Sequence, residues 1–394
     1  MKYVFALLGL LLVFVLGYAV SNNRKDIRYK SIAAMLVVQI LLALLILNTS
    51  AGIMIIRVIA DTFAKLMEYG ITGVDFVFGG LENEGMSTFF LDVLLPIVFI
   101  SVLIGILNYV KILPLIIKGI GIVLSKLNGM GKLENYVAVS AAILGQSEVF
   151  LTTKKQLDVI TKRRLYTLCT SAMSAVSAAI VGAYMTMLSP QYVVVAIILN
   201  IFSALIIANL INPYKLPPEE DVTVVEELGA RESFFQMISE SVMDGFKVAI
   251  IVGAMLIGFI ALMEMINGLF GIIFGITFQE ILGYIFAPIA YVMGIPWVEA
   301  VQAGGIMATK LVTNEFVAML SFKDIAAGLS ERTVGMVSVF LVSFANFSSI
   351  GIITGAVKAL NEKRGEDVAQ FGLKLLYGST LASILSAVIV GVIL

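Results

Sequence analysis

Apolar runs about as long as a bilayer is thick recur along this sequence, and they constrain the fold more than any other feature. Roughly 20 apolar residues in a helix cross about 30 Å of hydrocarbon. Runs of that length lie near 3–21, 31–48, 88–110, 165–187, 191–211, 247–268, 335–357 and 373–393. The chain is 60% hydrophobic and 13% charged, whereas a soluble domain has about 25% charged residues. Strands that face lipid alternate in polarity, so unbroken runs argue against a β-barrel. The sequence therefore predicts an all-α polytopic membrane protein with about eight transmembrane helices. The first run is too long for the apolar region of a signal peptide, and Lys2 is its only N-terminal charge, so it is read as a retained span.

Basic residues gather in cytoplasmic loops. Arg24, Lys25, Arg28 and Lys30 follow the first span. Lys111, Lys118, Lys126 and Lys132 follow the third, and Lys154, Lys155, Lys162, Arg163 and Arg164 precede the fourth. Lys358, Lys363, Arg364 and Lys374 lie between the last two. Eight spans with both termini outside put all of these on the cytoplasmic side. The expected outer loops, 49–87, 188–190, 269–295 and 321–334, hold few Lys or Arg.

Residues 52–68 and 111–127 mix charges with apolar residues at helical spacing. They read either as interfacial amphipathic helices or as packed helices at the bundle edge. Residues 213–232, rich in proline and acids, read as a cytoplasmic connector. The expected organisation is N-terminal spans and first scaffold elements over 1–132, a first transport half over 133–212, linker, sixth span and amphipathic segment over 213–295, and a second transport half over 296–394.

Segments 133–152 and 296–320 lie between full spans, and each begins and ends on one side of the membrane in this topology. Each carries a polar kernel: Gly145, Gln146, Ser147 and Glu148 in the first, Thr313, Asn314 and Glu315 in the second. A carboxylate at membrane depth costs on the order of 3 kcal/mol and marks a functional site by default. Re-entrant hairpins with tips near the midplane would bury such kernels in protein or line a watery cavity with them. A span rich in small and hydroxyl residues follows each hairpin, at 170–184 and 343–356. Small residues let helices approach closely or break. Hairpin plus broken span, twice and from opposite sides, predicts an inverted repeat with substrate at its interface.

Glu148 and Glu315 are strong acceptors, while Gln146, Ser147, Asn314, Asn346 and Ser349 donate and accept. No Arg lies near a kernel, which disfavours a phosphate or carboxylate substrate. A neutral polyhydroxylated solute fits the carboxylates best. Lys310 is the only basic residue near a kernel, and one reading pairs it with Glu315. Asp92 reads as a helix-start residue, Asp244 and Glu264 as members of interhelical pairs, Cys169 as packing, and Gly304 to Lys310 as hairpin packing. The net charge of −1 argues against a nucleic-acid partner. There is no histidine and one cysteine, so the usual metal ligands are missing and no cofactor is expected. No GxxxxGK[ST] occurs, against an ATP-driven pump. A channel, a membrane-embedded enzyme using two carboxylates, and a carrier of another neutral solute are the competing classes.

The residues also carry a family resemblance. LGQSEVF at 144–150, TNEFVA at 313–318, FANFSSIGI at 344–352 and VGAYMTML at 181–188 resemble the signature stretches of concentrative nucleoside transporters, in order and over nearly the whole chain. The resemblance implies eight spans, two re-entrant hairpins, a homotrimer, and a transport domain that moves as an elevator; the expected location is the bacterial inner membrane. It also implies that Gln146, Ser147 and Glu148 contact the base of a nucleoside, with Ile180 and Phe344 beside it. Glu315, Asn346 and Ser349 would hold the ribose hydroxyls, and Gly145 and Asn314 would support them.

Sodium-coupled members carry an Asn where this chain has Ala141, and a small hydroxyl residue where it has Ala175. Neither alanine offers a side-chain oxygen, and carbonyls near Leu144 and Val176 are few for a sodium ion. The expected coupling ion is therefore a proton, held on Glu148 or Glu315, and sodium is the alternative. Ser174 and Ser177 flank Ala175 and would restore a ligand under a shifted alignment.

Overall fold

A computed structural model describes residues 2–79, 89–217, 221 and 233–394, and no strand occurs among them. The N-terminal helices are α1 (Lys2–Ala19), α2 (Tyr29–Asn48) and α3 (Ser50–Phe78). A π-helical turn at Phe89–Leu94, which contains Asp92, leads into α4 (Ile97–Tyr109), followed by α5 (Ile112–Asn128). Next come α6 (Lys132–Leu144), a 3-10 segment at Glu148–Thr153, and the short α7 (Lys154–Leu157). The central elements are α8 (Lys162–Ser174), α9 (Ala178–Met187), α10 (Pro190–Ile211) and α11 (Phe234–Phe274). The C-terminal elements are α12 (Phe278–Met293), α13 (Trp297–Val312), α14 (Glu315–Ile325), α15 (Glu331–Leu341), α16 (Phe347–Leu360) and α17 (Glu362–Ile393).

Side-chain caps set many of the helix starts, because the first amides of a helix have no partner within it. Thr49 accepts from the Gly52 amide, Ser233 from Gln236, and Ser330 from Thr333. Thr277 and Glu280 form a reciprocal capping box at α12. Pro190 occupies the first turn of α10, where no amide donor is needed.

The core forms around α10 and α17, both buried over most of their length. The other helices differ sharply from these two. Long α11 packs chiefly along α4 and leaves most of its apolar surface, including Ile251, Ile257 and Ile272, exposed. Helices α12 and α13 fold back on each other through a bend of 117°. Gly304 of α13 sits so close to α12 that a Cβ there would lie 2.9 Å from the Ala287 amide and the Gly283 carbonyl. Gly304 is thus packed inside this pair, at the start of the Gly304 to Lys310 run.

Five described helical stretches are long and apolar enough to cross a bilayer: Tyr29–Asn48, Phe89–Tyr109, Pro190–Ile211, Phe234–Phe274 and Glu362–Ile393. Counting each bent pair as one span raises the number to 7, against the eight expected. Helix α16, at 14 residues, is shorter than a full crossing.

Several boundaries differ from expectation. Helix α11 has 41 residues and is roughly 60 Å long, about twice a hydrocarbon core. It and α12 occupy most of the stretch expected as an outer loop over 269–295. Segment 52–68 belongs to one 29-residue helix, α3, and 111–127 to α5. Helix α17 starts at Glu362, so Lys363, Arg364 and Lys374 are helical residues and not loop residues. Of the connector at 213–232, residues 218–220 and 222–232 lie outside the described residues, as do 80–88 of the first outer loop.

Candidate functional site

Two hairpins and two broken helices converge on one place. The first hairpin is α6, a tip at 145–147, and the 3-10 segment with α7. The second is α13, a tip at Thr313 and Asn314, and α14. Helices α8 and α9 meet at a bend of 40°, with extended backbone at Ala175 and Ser177. A second break at 342–346 separates α15 from α16. The breaks touch: the Phe344 amide donates to the Ala175 carbonyl at 3.1 Å. Asn200 of α10 donates through Nδ2 to the Val342 carbonyl at 2.6 Å. These bonds satisfy backbone groups that a break would otherwise leave bare in an apolar interior.

Gly145 turns the first tip with φ at 110°, in the region that favours glycine. A Cβ here would lie 2.9 Å from Glu148 Oε2 and 3.2 Å from Ser177 Cβ. The residue therefore permits the turn and also lets the tip approach the first break. Gln146 is buried, and its Oε1 has no hydrogen-bond partner. Glu148 stays exposed on the cavity wall.

The second tip is organised by its own side chains. Asn314 Oδ1 accepts from the Val317 amide at 3.0 Å, starting α14. Asn346 Oδ1 accepts from the Ser349 amide at 2.9 Å and from Ser348 Oγ at 2.7 Å, starting α16. The Nδ2 of Asn346 donates to Glu315 Oε2 at 3.0 Å. The Tyr184 hydroxyl of α9 donates to Glu315 Oε1 at 3.0 Å. Both carboxylate oxygens are thus held from opposite sides. Ser349 is buried, and its Oγ has no partner.

A cavity of about 540 Å³ joins these groups. All ten residues singled out for substrate contact or support line it: Gly145, Gln146, Ser147 and Glu148 from the first tip, Ile180 from α9, Asn314 and Glu315 from the second hairpin, and Phe344, Asn346 and Ser349 from the second break. Ala141 and Ala175 lie outside it, both buried. Its lining contains carboxylates but no Lys or Arg. Such a cavity suits a neutral solute that presents several donors to fixed acceptors. Among the described residues no cluster of metal-ligating side chains occurs.

Three expectations need correction. Lys310 does not pair with Glu315; its ammonium donates to the Phe340 carbonyl and Ser343 Oγ, each at 2.6 Å, and is fully buried. Asp244 pairs within its own helix, with Lys247 at 3.4 Å, and not between helices. Arg164 is not a loop charge: its Nε meets Glu134 Oε1 at 2.6 Å in a buried pair that joins α8 to α6, and the Tyr214 hydroxyl adds a bond of 2.7 Å to the same oxygen. Tyr184 belongs to the stretch at 181–188, but nothing in the spacing signals its bond to Glu315.

Comparisons with known proteins agree along the chain. A family model described as Na+ dependent nucleoside transporter N-terminus matches residues 8–81, its C-terminal counterpart matches 192–391, and a nucleoside recognition model, Gate, matches 90–191. The purine nucleoside transport protein NupG of Bacillus subtilis is 36% identical over 99% of both chains. The nucleoside permease NupC of Helicobacter pylori is 29% identical over 98% of this chain and 97% of its own. The structure of CNTnw in an inward-facing substrate-bound state superposes with a TM-score of 0.94 at 32% identity, covering 100% of this chain and 99% of that one. A substituted CNTnw in an outward-facing state gives 0.92 at 31% identity, covering 100% and 98%. These relatives are transporters, and this chain is not an enzyme. Hairpin tips, broken helices and matched models together show that the chain belongs to the concentrative nucleoside transporter family.

Proposed function

We propose that this chain is a secondary active importer of nucleosides that couples uptake to protons. The observation that carries the substrate reading is the shared cavity. Gln146 and Ser349 are among its lining residues, and Gln146 Oε1 and Ser349 Oγ have no partner within the protein, while Glu315 is already fixed by Tyr184 and Asn346. Buried polar atoms are normally satisfied, so a side-chain turn into the cavity would bring these two free oxygens to a ligand. In this reading Gln146, Ser147 and Glu148 read the base edge, and Ile180 and Phe344 contact its faces. Glu315, Asn346 and Ser349 take the ribose hydroxyls, and Gly145 and Asn314 hold the two tips. Hydrogen bonds to a charged group contribute about 1.5–3 kcal/mol each. The kinship with a purine nucleoside transport protein over the whole chain favours purine nucleosides.

The proton reading rests on Ala141 and Ala175, which offer no side-chain oxygen, and on the Ala175 carbonyl, which already accepts the Phe344 amide. A proton carried inward would ride on Glu148 or Glu315 and gain about 2.3 kcal/mol per 100 mV. A sodium-coupled reading has its own support. The matched family models are described as Na+ dependent, and the buried hydroxyls of Ser140 and Ser174, beside those alanines, lack partners.

Movement is read as an elevator. The α4–α11 pair, with its exposed apolar flank, would form a scaffold that meets other copies in a homotrimer in the cytoplasmic membrane. The hairpins, broken spans and α17 would travel against it. The cavity reaches Glu240 and Asp244 near the start of α11, the end assigned to the cytoplasm. That position supports a cavity open to the inside.

Purified protein in proteoliposomes tests both parts. Labelled inosine and uridine are offered with a proton gradient alone, then with a sodium gradient alone. Accumulation under protons alone is expected, with inosine ahead of uridine. Accumulation under sodium alone replaces the ion, and no uptake of either solute under both gradients overturns the substrate reading.

A further inference from the structure

We propose that Lys310 is a positioning residue for the sugar side of the site, an internal cation that ends half-helix α15 and so fixes the break carrying Phe344 and Asn346. This inference rests on the nucleoside reading above.

Lys310 lies in the last turns of α13, just before the second tip, and its side chain is fully buried. Its ammonium reaches the final turn of α15 through the Phe340 carbonyl, and the break itself through Ser343 Oγ, both at 2.6 Å. Its third partner is Ser383 Oγ of α17 at 3.5 Å, and Ser343 Oγ and Ser383 Oγ lie 2.8 Å apart. The ring of Phe340 lies 4.5 Å from Nζ. Every hydrogen-bond partner is neutral. A buried ammonium is costly unless it is well bonded, and a methionine would fill the same space without that cost. The charge therefore has a task that packing alone does not require.

The C-terminal carbonyls of a helix lack partners and carry partial negative charge, so a cation there is favoured. Lys310 supplies that cation on one side of the break. On the other side Asn346 starts α16 and donates to Glu315. The second hairpin thus grips the same break twice, through Lys310 before its tip and Glu315 after it. Releasing the first grip lets residues 342–346 shift. Asn346 then no longer holds Glu315 in register with Ser349, while the first tip is left alone.

This reasoning predicts a selective defect. The test measures equilibrium binding of inosine and of 2′,3′-dideoxyinosine, which lacks both ring hydroxyls, to purified protein, wild type and variants. Wild type is expected to prefer inosine. In Lys310→Met the preference should fall at least tenfold, through weaker inosine binding with dideoxyinosine binding nearly unchanged. Ser343→Ala, which removes one acceptor and no charge, should lower it about threefold. The ratio of inosine to uridine affinity should stay at the wild-type value. Equal weakening of inosine and dideoxyinosine in either variant, or an unaltered preference in both, overturns the inference. If Lys310→Met is not recovered folded, Ser343→Ala decides alone. Wild-type protein that binds neither compound overturns the transport reading and this inference with it; wild type that discriminates while the variants discriminate equally overturns this inference only.

Discussion

The two hairpins deliver their polar kernels to the same cavity, but they finish them in opposite ways. At the second tip the groups are already bonded, apart from Ser349 Oγ of the adjoining break. Asn314 caps α14, Asn346 caps α16, and Glu315 accepts from both Tyr184 and Asn346. At the first tip Gln146 Oε1 has no partner and Glu148 is exposed to the cavity. One tip is thus preorganised and the other is unfilled. Fixed acceptors suit a part of the ligand that never varies, and adaptable groups suit a part that does. A ribose common to all substrates and a base that differs among them fit that division.

The comparison is broken most severely at Glu315. Glu315→Ala should remove the acceptor for the ring hydroxyls and leave the Tyr184 hydroxyl and the Asn346 amide unpaired inside the protein. The lost charged bonds amount to about 3 kcal/mol or more, roughly a hundredfold or greater in nucleoside affinity. Isothermal titration with inosine should show this, and the thermal midpoint of the empty protein should fall as well. An affinity within threefold of wild type would remove Glu315 from the site. The next largest effect is expected at Gly145→Val. A branched side chain at φ 110° is strained, and its Cβ would press on Glu148 and on Ser177 of the first break. Uptake should drop at least tenfold while the protein still reaches the membrane. Wild-type uptake would show that the tip need not approach the break so closely.

How much of this was legible beforehand differs between the hairpins for a physical reason. The tips announce themselves because a polar kernel inside an apolar run is costly and therefore rare. The residues of 145–148 and 313–315 could be named from their place in such runs. What holds the second tip could not. Tyr184 lies 131 positions from Glu315, in a different span, and only the bend at 175–177 brings them together. Lys310 showed a similar limit. Its nearness to Glu315 in sequence suggested an ion pair, but its side chain reaches the last turn of α15. Hydropathy marks only the most apolar window of α11, whereas its polar first turns, with Gln236, Glu240 and Asp244, continue the same helix. A rule about charge and side puts Arg164 in a loop because it does not see Glu134 on α6.

Tyr184→Phe sharpens the comparison more gently. It keeps the ring, which packs edge-on to Phe316 at 5.0 Å between centroids, and deletes only the bond to Glu315. The carboxylate keeps Asn346. A single bond to a charged group is worth about 1.5–3 kcal/mol. Part of this is recovered when the ligand itself donates, so a loss of roughly five- to tenfold in inosine affinity is expected. Dideoxyinosine binding should weaken less, because it never used that carboxylate fully. Equal weakening of the two would mean that Tyr184 supports the fold of α9 and not the orientation of Glu315.

The smallest effect separates the tips most cleanly. Gln146 Oε1 makes no hydrogen bond within the protein. Gln146→Ala therefore removes a group that folding does not use there, and the thermal midpoint of the empty protein should stay within about 1 °C of wild type, since a ΔΔG of 1 kcal/mol moves larger domains by roughly 2–4 °C. Nucleoside affinity should fall about three- to tenfold, the value of one neutral hydrogen bond. The loss should depend on the base offered and not on the sugar, the reverse of the pattern at Glu315. Stability and affinity would thus fall together at the bonded tip and separately at the unfilled one. A Gln146→Ala protein that is clearly destabilised, yet binds inosine as well as wild type, would show that the first tip is also built for the fold, and the contrast between the two hairpins would collapse.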